Sequence, residues 1–518
     1  MKTTIVPLIG DPIHNLYQLG LKERTSYLAL ELRVRRLLST VNLLGMGQDF
    51  LNRAKFLLKK KENSLFDKCI AAYAEGLGID SARYYSFITL FELAAHYGQL
   101  YPELKGILPG CTSIFLKNTQ GDICHGRLLD FPLVGVFDKA PRLYYWLPEN
   151  GIPLMSYSCE GLAPLFFQGI HGSGMSFALH HKPGKTHHIN GQSIFQILFE
   201  GLFEAKNLSD FKKELKKKIT VTKWGILALD KSGQALVMDI DGPAQNIESF
   251  ELNETSPLIF TNIPLHKDAA GFENFYKFSE SRQKWLKEKI LAKSHKFLLD
   301  NFTDVEDQKT KGWLHSAGTL STIGAWEVNL TQGTVDVKEG DGALVLSDAI
   351  LRVNLSNQND ISVLKPKSTE SSFEKAWKRA SMAQGYFDQG EQDLAYHELQ
   401  MAQALCPHGV WKEIFSFYLA VWDFKFISNP KELGLIYKKV KNLRVPDLLK
   451  DQWLLLLMRF ERRLDLNPTV HQEDVSSAVQ ELFRQERLSS KPMFATWMKL
   501  LYPRLEVLDV FSPHQSKQ

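Results

Sequence analysis

The chain changes its period at Cys111, and that change constrains the fold more than any other feature. From about Leu19 to His96, apolar residues recur at spacings of three and four in YLALELRVRRLLSTVNLL, FDKCIAAYAEGLG and ARYYSFITLFELAAHYG, the stripe of helices that bury one face. Gly76, Gly78 and Gly98 punctuate them, and a loop from Gln99 to Gly110 carries two prolines. Beyond it the apolar runs shorten. TSIFLKN and ICHGRLL are joined by the turn TQGD, and RLYYWLP, PLFFQGI, GMSFALHH, WGILALD, QALVMDI, PLIFTNI, TLSTIGAWEVNL and TVDV follow as strand candidates. Helical stretches at 192–206, 209–218 and 272–293 interrupt them. Hairpins and helices in this mixture predict an α+β fold whose layers include antiparallel sheets.

The predicted organisation is a helical segment over 1–110, a sheet-containing domain over 111–355, a polar linker without period over 356–372 and a helical domain over 373–518. From Ala376 the 34-residue tetratricopeptide pattern fits, with Ala383, Tyr386, Gly390, Ala395, Leu399, Ala402 and Pro407 at its small, aromatic, turn and proline positions. The prediction is a short helical-hairpin domain suited to a protein partner; an unrelated helical bundle is the alternative.

Composition excludes whole classes. With 518 residues, 44% hydrophobic and 23% charged, the chain is neither disordered nor collagen-like. A net charge of +4 is too small for a nucleic-acid binder. Five cysteines, odd in number and widely spaced, give no disulfide framework and no metal pattern. They point to a reducing compartment, or to one thiol kept for chemistry. Pro7, Asp11 and Pro12 break the opening apolar stretch too early for a signal peptide, and no apolar run reaches the roughly 18 residues of a transmembrane segment. The expectation is a cytoplasmic protein. His180, His181, His187 and His188 read as exposed histidines of a hairpin loop rather than metal ligands, so neither metal nor cofactor is expected.

The segment GCTSIFLKNTQGDICHGRLLDFP carries the chemistry. A hairpin of this length brings a thiol, Cys111, onto a strand beside a guanidinium, Arg127, and close to a carboxylate, Asp130. Such surroundings favour a thiolate and orient it. The same segment resembles the nucleophile hairpin of the N-terminal-nucleophile cysteine hydrolases, the group of acid ceramidase, N-acylethanolamine acid amidase, penicillin acyltransferase and choloylglycine hydrolase. Gly110-Cys111-Thr112-Ser113 matches the family's self-cleavage site, and His125-Gly126-Arg127 with Asp130-Phe131-Pro132 matches its HGR-x-x-D segment. Gly10-Asp11-Pro12, Gly169 to Ser176, Thr261-Asn262 with Pro264, and Ser279 to Arg282 with Trp285 and Leu286 extend the resemblance from about Gly10 to Leu344.

That resemblance implies a four-layer αββα sandwich with the nucleophile on an inner strand. It implies a precursor that cleaves itself between Gly110 and Cys111, leaving residues 1–110 as pro-segment and small subunit. It gives the roles as well: Cys111 as nucleophile and, through its freed α-amine, base; Asp130 as holder of the ammonium; Arg127 beside the thiol; Asn262 as donor to the oxyanion. Phe131, Phe166 and His171 are candidates for the substrate pocket. The expected substrate is a small N-acyl amide with an apolar acyl chain, hydrolysed through a thioester. Acyl transfer to an amine, and an inactive hydrolase domain on a tetratricopeptide-type interaction protein, are the alternatives.

Overall fold

The computed structural model describes residues 3–42, 64–100, 110–131, 137, 140–149, 151–163, 165–182, 188, 190–253, 256–266, 273–292, 299, 302, 317–318, 322–340, 344–366, 369–389, 391–407, 409–445, 449–475 and 480–488. In chain order the elements are β1 (Thr4–Ile9), α1 (Pro12–Asn42), α2 (Leu65–Leu77), α3 (Ser81–Leu100), β2 (Gly110–Lys117), β3 (Ile123–Asp130), β4 (Pro141–Leu147), β5 (Leu154–Cys159), β6 (Gln168–His171) and β7 (Met175–His181). Then come α4 (Ile194–Glu204), α5 (Leu208–Leu215), β8 (Trp224–Asp230), β9 (Gln234–Asp241), β10 (Ala244–Glu251), β11 (Leu258–Phe260), α6 (Glu273–Ala292), β12 (Thr322–Asn329), β13 (Thr334–Lys338), β14 (Ile350–Asn354) and β15 (Asn357–Lys365). The rest is helical: α7 (Ser372–Gln389), α8 (Gln392–Leu405), α9 (Val410–Phe426), α10 (Pro430–Lys441), α11 (Lys450–Arg463) and α12 (Gln480–Leu488).

The strands form two sheets, ordered β1-β4-β5-β6-β7-β8-β9-β10 and β11-β2-β3-β12-β13-β14-β15. All pairings are antiparallel except β1 with β4, which runs parallel because two long helical segments and the β2–β3 hairpin intervene. The sheets face one another: Phe115, Leu129, Ile323 and Trp326 of the second share a buried cluster with Met155, Phe177 and Leu179 of the first. Strand alternation sends the other side chains of β2 and β3 outward, where Ile114, Leu116, Cys124 and Leu128 pack with Trp285, Leu286 and Ile290 of α6. Helices α1 to α4 pack into the core of the eight-stranded sheet. Gly76, which reads as punctuation in the sequence, lies inside α2; a Cβ there would sit 2.2 Å from the Tyr17 carbonyl, so glycine permits the close crossing with α1.

The mixed α+β fold with two sheets and a helical C-terminal region matches expectation. Two domain boundaries need correction. Residues 357–365 are not a linker: β15 pairs with β14 and extends the second sheet, and the chain divides between Thr369 and Glu370. NQNDISVLK escapes a strand reading because a sheet-edge strand need not alternate cleanly. Nor is 1–110 a separate helical segment, since β1 opens the eight-stranded sheet and the described parts of α1 to α3 share its core.

In the C-terminal unit α7 and α8 pack as a helical hairpin. They bury Ala376, Trp377, Ala380, Ala383, Ala395, Leu399 and Ala402, and Arg379 forks onto Glu398 at 3.0 and 2.9 Å. Gly390, at the turn position of the repeat pattern, is outside the described residues.

Candidate active site

Cys111 is the second residue of β2, an interior strand flanked by β3 and β11. The pairing β2 with β3 sets Gly110 opposite Asp130, Cys111 opposite Leu129 and Ser113 opposite Arg127. On the other side Phe260 faces Ser113. The antiparallel register therefore brings Asn262, two residues past β11, level with Cys111. Two strand pairings thus bring three distant stretches of sequence to one point.

The two faces of β2 hold different parts of Cys111. On the inner face Arg127 Nη2 donates to Cys111 Sγ at 3.2 Å and to the Leu179 carbonyl of β7 at 2.6 Å. On the other side Arg282 of α6 grips the backbone. Its Nη1 lies 3.3 Å from the Cys111 carbonyl, 3.0 Å from Thr112 Oγ1 and 3.3 Å from Asp130 Oδ2, and its Nη2 donates to Asn262 Oδ1 at 2.8 Å. Thr322 of β12 donates to Asp130 Oδ1 at 2.6 Å. Asn262 Oδ1 also accepts the Cys111 N–H at 2.9 Å, while its Nδ2 donates to the His181 carbonyl at 2.9 Å. Each of these side chains is at most 2% exposed. Gly110 is required here, because a Cβ would come within 2.8 Å of Asp130 Oδ2.

Burial pushes the Cys111 thiol pKa up, with Asp130 adding to the rise and Arg127, the His181 N–H and Arg282 opposing it. Burial wins, so the thiol keeps its proton near neutrality and its reaction needs a base. A thiol beside a guanidinium, with a carboxylate and an amide on its backbone, can attack a carbonyl once such a base is present.

A cleft leads to the thiol. It is lined by Phe91, Cys111, Leu129, Phe131, Phe137, Phe167, Leu179, His181, Trp224 and Ile323, and with the solvent at its mouth encloses about 410 Å³ of non-atom space. Its walls are apolar apart from Cys111 and His181. Neither ring nitrogen of His181 has a hydrogen-bond partner among the described residues. Burial lowers its pKa to about 3, so the ring is neutral and offers one donor and one acceptor.

The sequence candidates divide accordingly. Cys111, Arg127, Asp130, Asn262 and Gly110 meet at one point, and Phe131 lines the cleft. Phe166 and His171 do not line it. Phe166 stacks on Phe199 at 5.2 Å and packs against Trp146 and Phe203 in a separate aromatic cluster. His171 ends β6, with Nδ1 2.8 Å from Ser173 Oγ. The reading of His180 and His181 as exposed loop residues is also overturned: both lie in β7 and are at most 1% exposed. His188 pairs with Asp241 at 3.3 Å, and His187 lies outside the described residues. The role of Arg282 is missed altogether. Its signal is the spacing Ser279, Arg282, Leu286, which puts a guanidinium on the buried face of a helix.

No family model matches the chain, and no curated protein matches it. Solved structures do resemble it distantly. An N-acylethanolamine-hydrolyzing acid amidase ortholog of Caenorhabditis elegans is 14% identical with a TM-score of 0.33, over 43% of this chain and 93% of that one. A conjugated bile acid hydrolase variant of Clostridium perfringens is 13% identical with a TM-score of 0.31, over 49% and 97%. A penicillin V acylase of Agrobacterium tumefaciens is 10% identical with a TM-score of 0.27, over 50% and 99%.

Proposed function

We propose that the chain is a self-processing amidohydrolase with the αββα arrangement of the N-terminal-nucleophile hydrolases, in which Cys111 attacks linear N-acyl amides. The observation that carries this reading is the meeting of Cys111, Arg127, Asp130, Asn262 and Arg282 around the Gly110–Cys111 bond. In the intact chain the Cys111 nitrogen is an amide and cannot serve as a base. Attack of Sγ on the Gly110 carbonyl moves the glycyl group from nitrogen to sulfur as the thiol proton passes to the departing nitrogen, and hydrolysis of the resulting thioester leaves that nitrogen as a free α-amine with a pKa of about 8. The amine then takes the thiol proton that burial otherwise retains. Asp130, against the Gly110 α-carbon, holds the resulting ammonium. Asn262 Nδ2 donates to the oxyanion, and Arg282 fixes the other end of that amide.

In hydrolysis the thiolate adds to the substrate carbonyl, the ammonium returns a proton to the leaving amine, and water cleaves the thioester. Aromatic and aliphatic walls suit an uncharged, apolar acyl group. The core shared by β1, α1 to α3 and the two sheets would keep the two chains associated after the cut. The intact mass of the purified full chain tests the reading. Two species that separate between Gly110 and Cys111 are expected; a single uncut chain that still hydrolyses amides would sink the N-terminal-amine mechanism.

A further inference from the structure

Between the sheets lies a line of polar side chains that the reaction does not use. Ser176 Oγ lies 3.0 Å from His125 Nδ1, His125 Nε2 lies 3.2 Å from Ser113 Oγ, and Ser113 Oγ lies 2.8 Å from His180 Nε2. His180 Nδ1 lies 3.3 Å from the Thr261 carbonyl. All four side chains are completely buried.

The last acceptor fixes the direction of every bond. A carbonyl can only accept, so the proton of His180 sits on Nδ1. Burial with nearby Arg127 and Lys182 holds His180 neutral, leaving Nε2 as an acceptor. Ser113 must then donate its one proton to His180. It can only accept from His125, whose proton is therefore on Nε2. Burial and Arg127 keep His125 neutral too, so its Nδ1 accepts from Ser176, for which it is a nearer acceptor, at 3.0 Å, than the Leu229 carbonyl at 3.4 Å. A buried histidine pair in any other tautomeric state would leave two donors or two lone pairs facing one another, at a large desolvation cost.

The line ends beside Asn262. Thr261 O also accepts from Lys182 Nζ at 2.9 Å, and the same ammonium donates to Ile263 O at 2.6 Å. The carbonyls on both sides of Asn262 are thus held by His180 of β7 and by Lys182, the residue after that strand. The other members sit two residues from the reacting groups, Ser113 from Cys111 on β2 and His125 from Arg127 on β3.

We propose that Ser176, His125, Ser113 and His180 form a one-way hydrogen-bond relay that positions Asn262 against Cys111 by holding the Thr261 carbonyl. The inference rests on the reading of Asn262 as the oxyanion donor. These are positioning residues, since none of them touches the reacting atoms. A small displacement of Asn262 is enough to matter, because a misplacement of about 1 Å can cost roughly a hundredfold in rate.

The test is a double-mutant cycle on the full chain, read as kcat and KM for the 4-nitroanilides of phenylacetic and hexanoic acids. His180→Gln places its amide near Nε2 and loses the bond to Thr261, whereas His180→Asn keeps a donor at the Nδ1 position. His180→Gln is expected to lower kcat roughly tenfold to a hundredfold with KM little changed, and His180→Asn, which keeps the Thr261 bond but not the one from Ser113, to recover part of that loss and no more than Ser113→Ala retains. In an Asn262→Ala background, itself down roughly a hundredfold, His180→Gln should cost nothing further. Ser113→Ala, a milder change, serves if His180→Gln does not fold, and its loss should likewise vanish in that background. Equal losses in both backgrounds, or no loss in the native one, overturn the relay. An Asn262→Ala enzyme of normal kcat overturns the oxyanion reading instead.

Discussion

Two buried clusters share one core and follow opposite chemistry. Behind the Cys111 thiol, away from the apolar cleft, the neighbours are charged or polar, and the contacts include hydrogen bonds and the ion pair of Arg282 with Asp130 at 3.3 Å. Around Phe166 the partners are Trp146, Phe199 and Phe203, with ring centroids 4.5 Å apart for Phe199 and Phe203. The aromatic cluster stabilises the fold through area and packing. The polar one contributes little net stability, because desolvating an ion pair offsets most of its attraction, and what it secures is geometry. Adjacent residues mark the border. Phe167 faces the cleft and Phe166 the aromatic cluster; His181 faces the cleft and His180 the polar relay. In β7 this is strand alternation, which points His180 and His181 to opposite sides.

Substitutions at the polar cluster should therefore remove activity and leave the fold, and the largest such effect belongs to Cys111. Cys111→Ala should abolish self-cleavage and hydrolysis together, with thermal unfolding nearly unchanged; normal maturation of this variant would mean that a separate protease does the cutting. Next come the carboxylate and its cation. Asp130→Asn keeps size while removing the charge that holds the ammonium, and turnover should fall at least roughly a hundredfold in steady-state assays. Here the fold is touched as well. Asp130→Asn leaves Arg282, and Arg282→Met leaves Asp130, without this counter-charge, and truncating one partner of a buried pair costs about 3–5 kcal/mol, so both variants should melt lower than Cys111→Ala. Equal melting of all three would break the distinction between the pair and the thiol.

The aromatic side should behave in reverse. Phe166→Ala removes a stacked ring from a packed site and is expected to cost about 3–5 kcal/mol in urea denaturation, with no change in acyl preference. Phe167→Ala, one residue on, should cost less because its ring borders the cleft. It should shift preference toward bulkier acyl groups, read as kcat/KM on two chain lengths. If both variants alter preference alike, Phe166 reaches substrate after all.

The same parity explains what the sequence could and could not say. The β2–β3 hairpin was legible because its turn, alternation and HGR-x-x-D spacing agree. WGILALD and QALVMDI form β8 and β9 for the same reason. Strand β10, AQNIESFE, is an exposed sheet edge with no continuous apolar face, and β15 is an edge strand too; both escape a periodicity reading. Phe166 and His171 do not line the cleft, and proximity in sequence to the nucleophile hairpin does not fix which way a side chain turns: Phe166 precedes β6 and packs on Phe199, and His171 ends that strand. Arg282 was missed because its partners, Asp130 and Asn262, lie 152 and 20 residues away in the sequence and meet it only once β2, β3 and β11 are paired.

The finest comparison is between buried carboxylates. Asp130 has Arg282 beside it. Glu92, on α3, receives neutral donors among the described residues: the Ile194 N–H at 3.1 Å, at the start of α4, and the hydroxyls of Ser193 and Thr222. Burial outweighs those bonds and raises its pKa from 4.5 to about 7. The folded state thus binds the proton more tightly than the unfolded state. The stabilisation is full below about pH 4.5 and is lost as the pH rises toward 7, with a ceiling of about 3 kcal/mol. Glu23 is raised by burial in the same direction, so the native protein alone does not isolate Glu92. The difference between native protein and Glu92→Gln does. Gln still accepts from Ile194 but cannot ionise, so the native-minus-variant stability from urea denaturation should fall by roughly 3 kcal/mol between pH 5 and pH 8. A constant difference would show that Glu92 is ionised throughout, held by the start of α4 as firmly as Asp130 is held by Arg282.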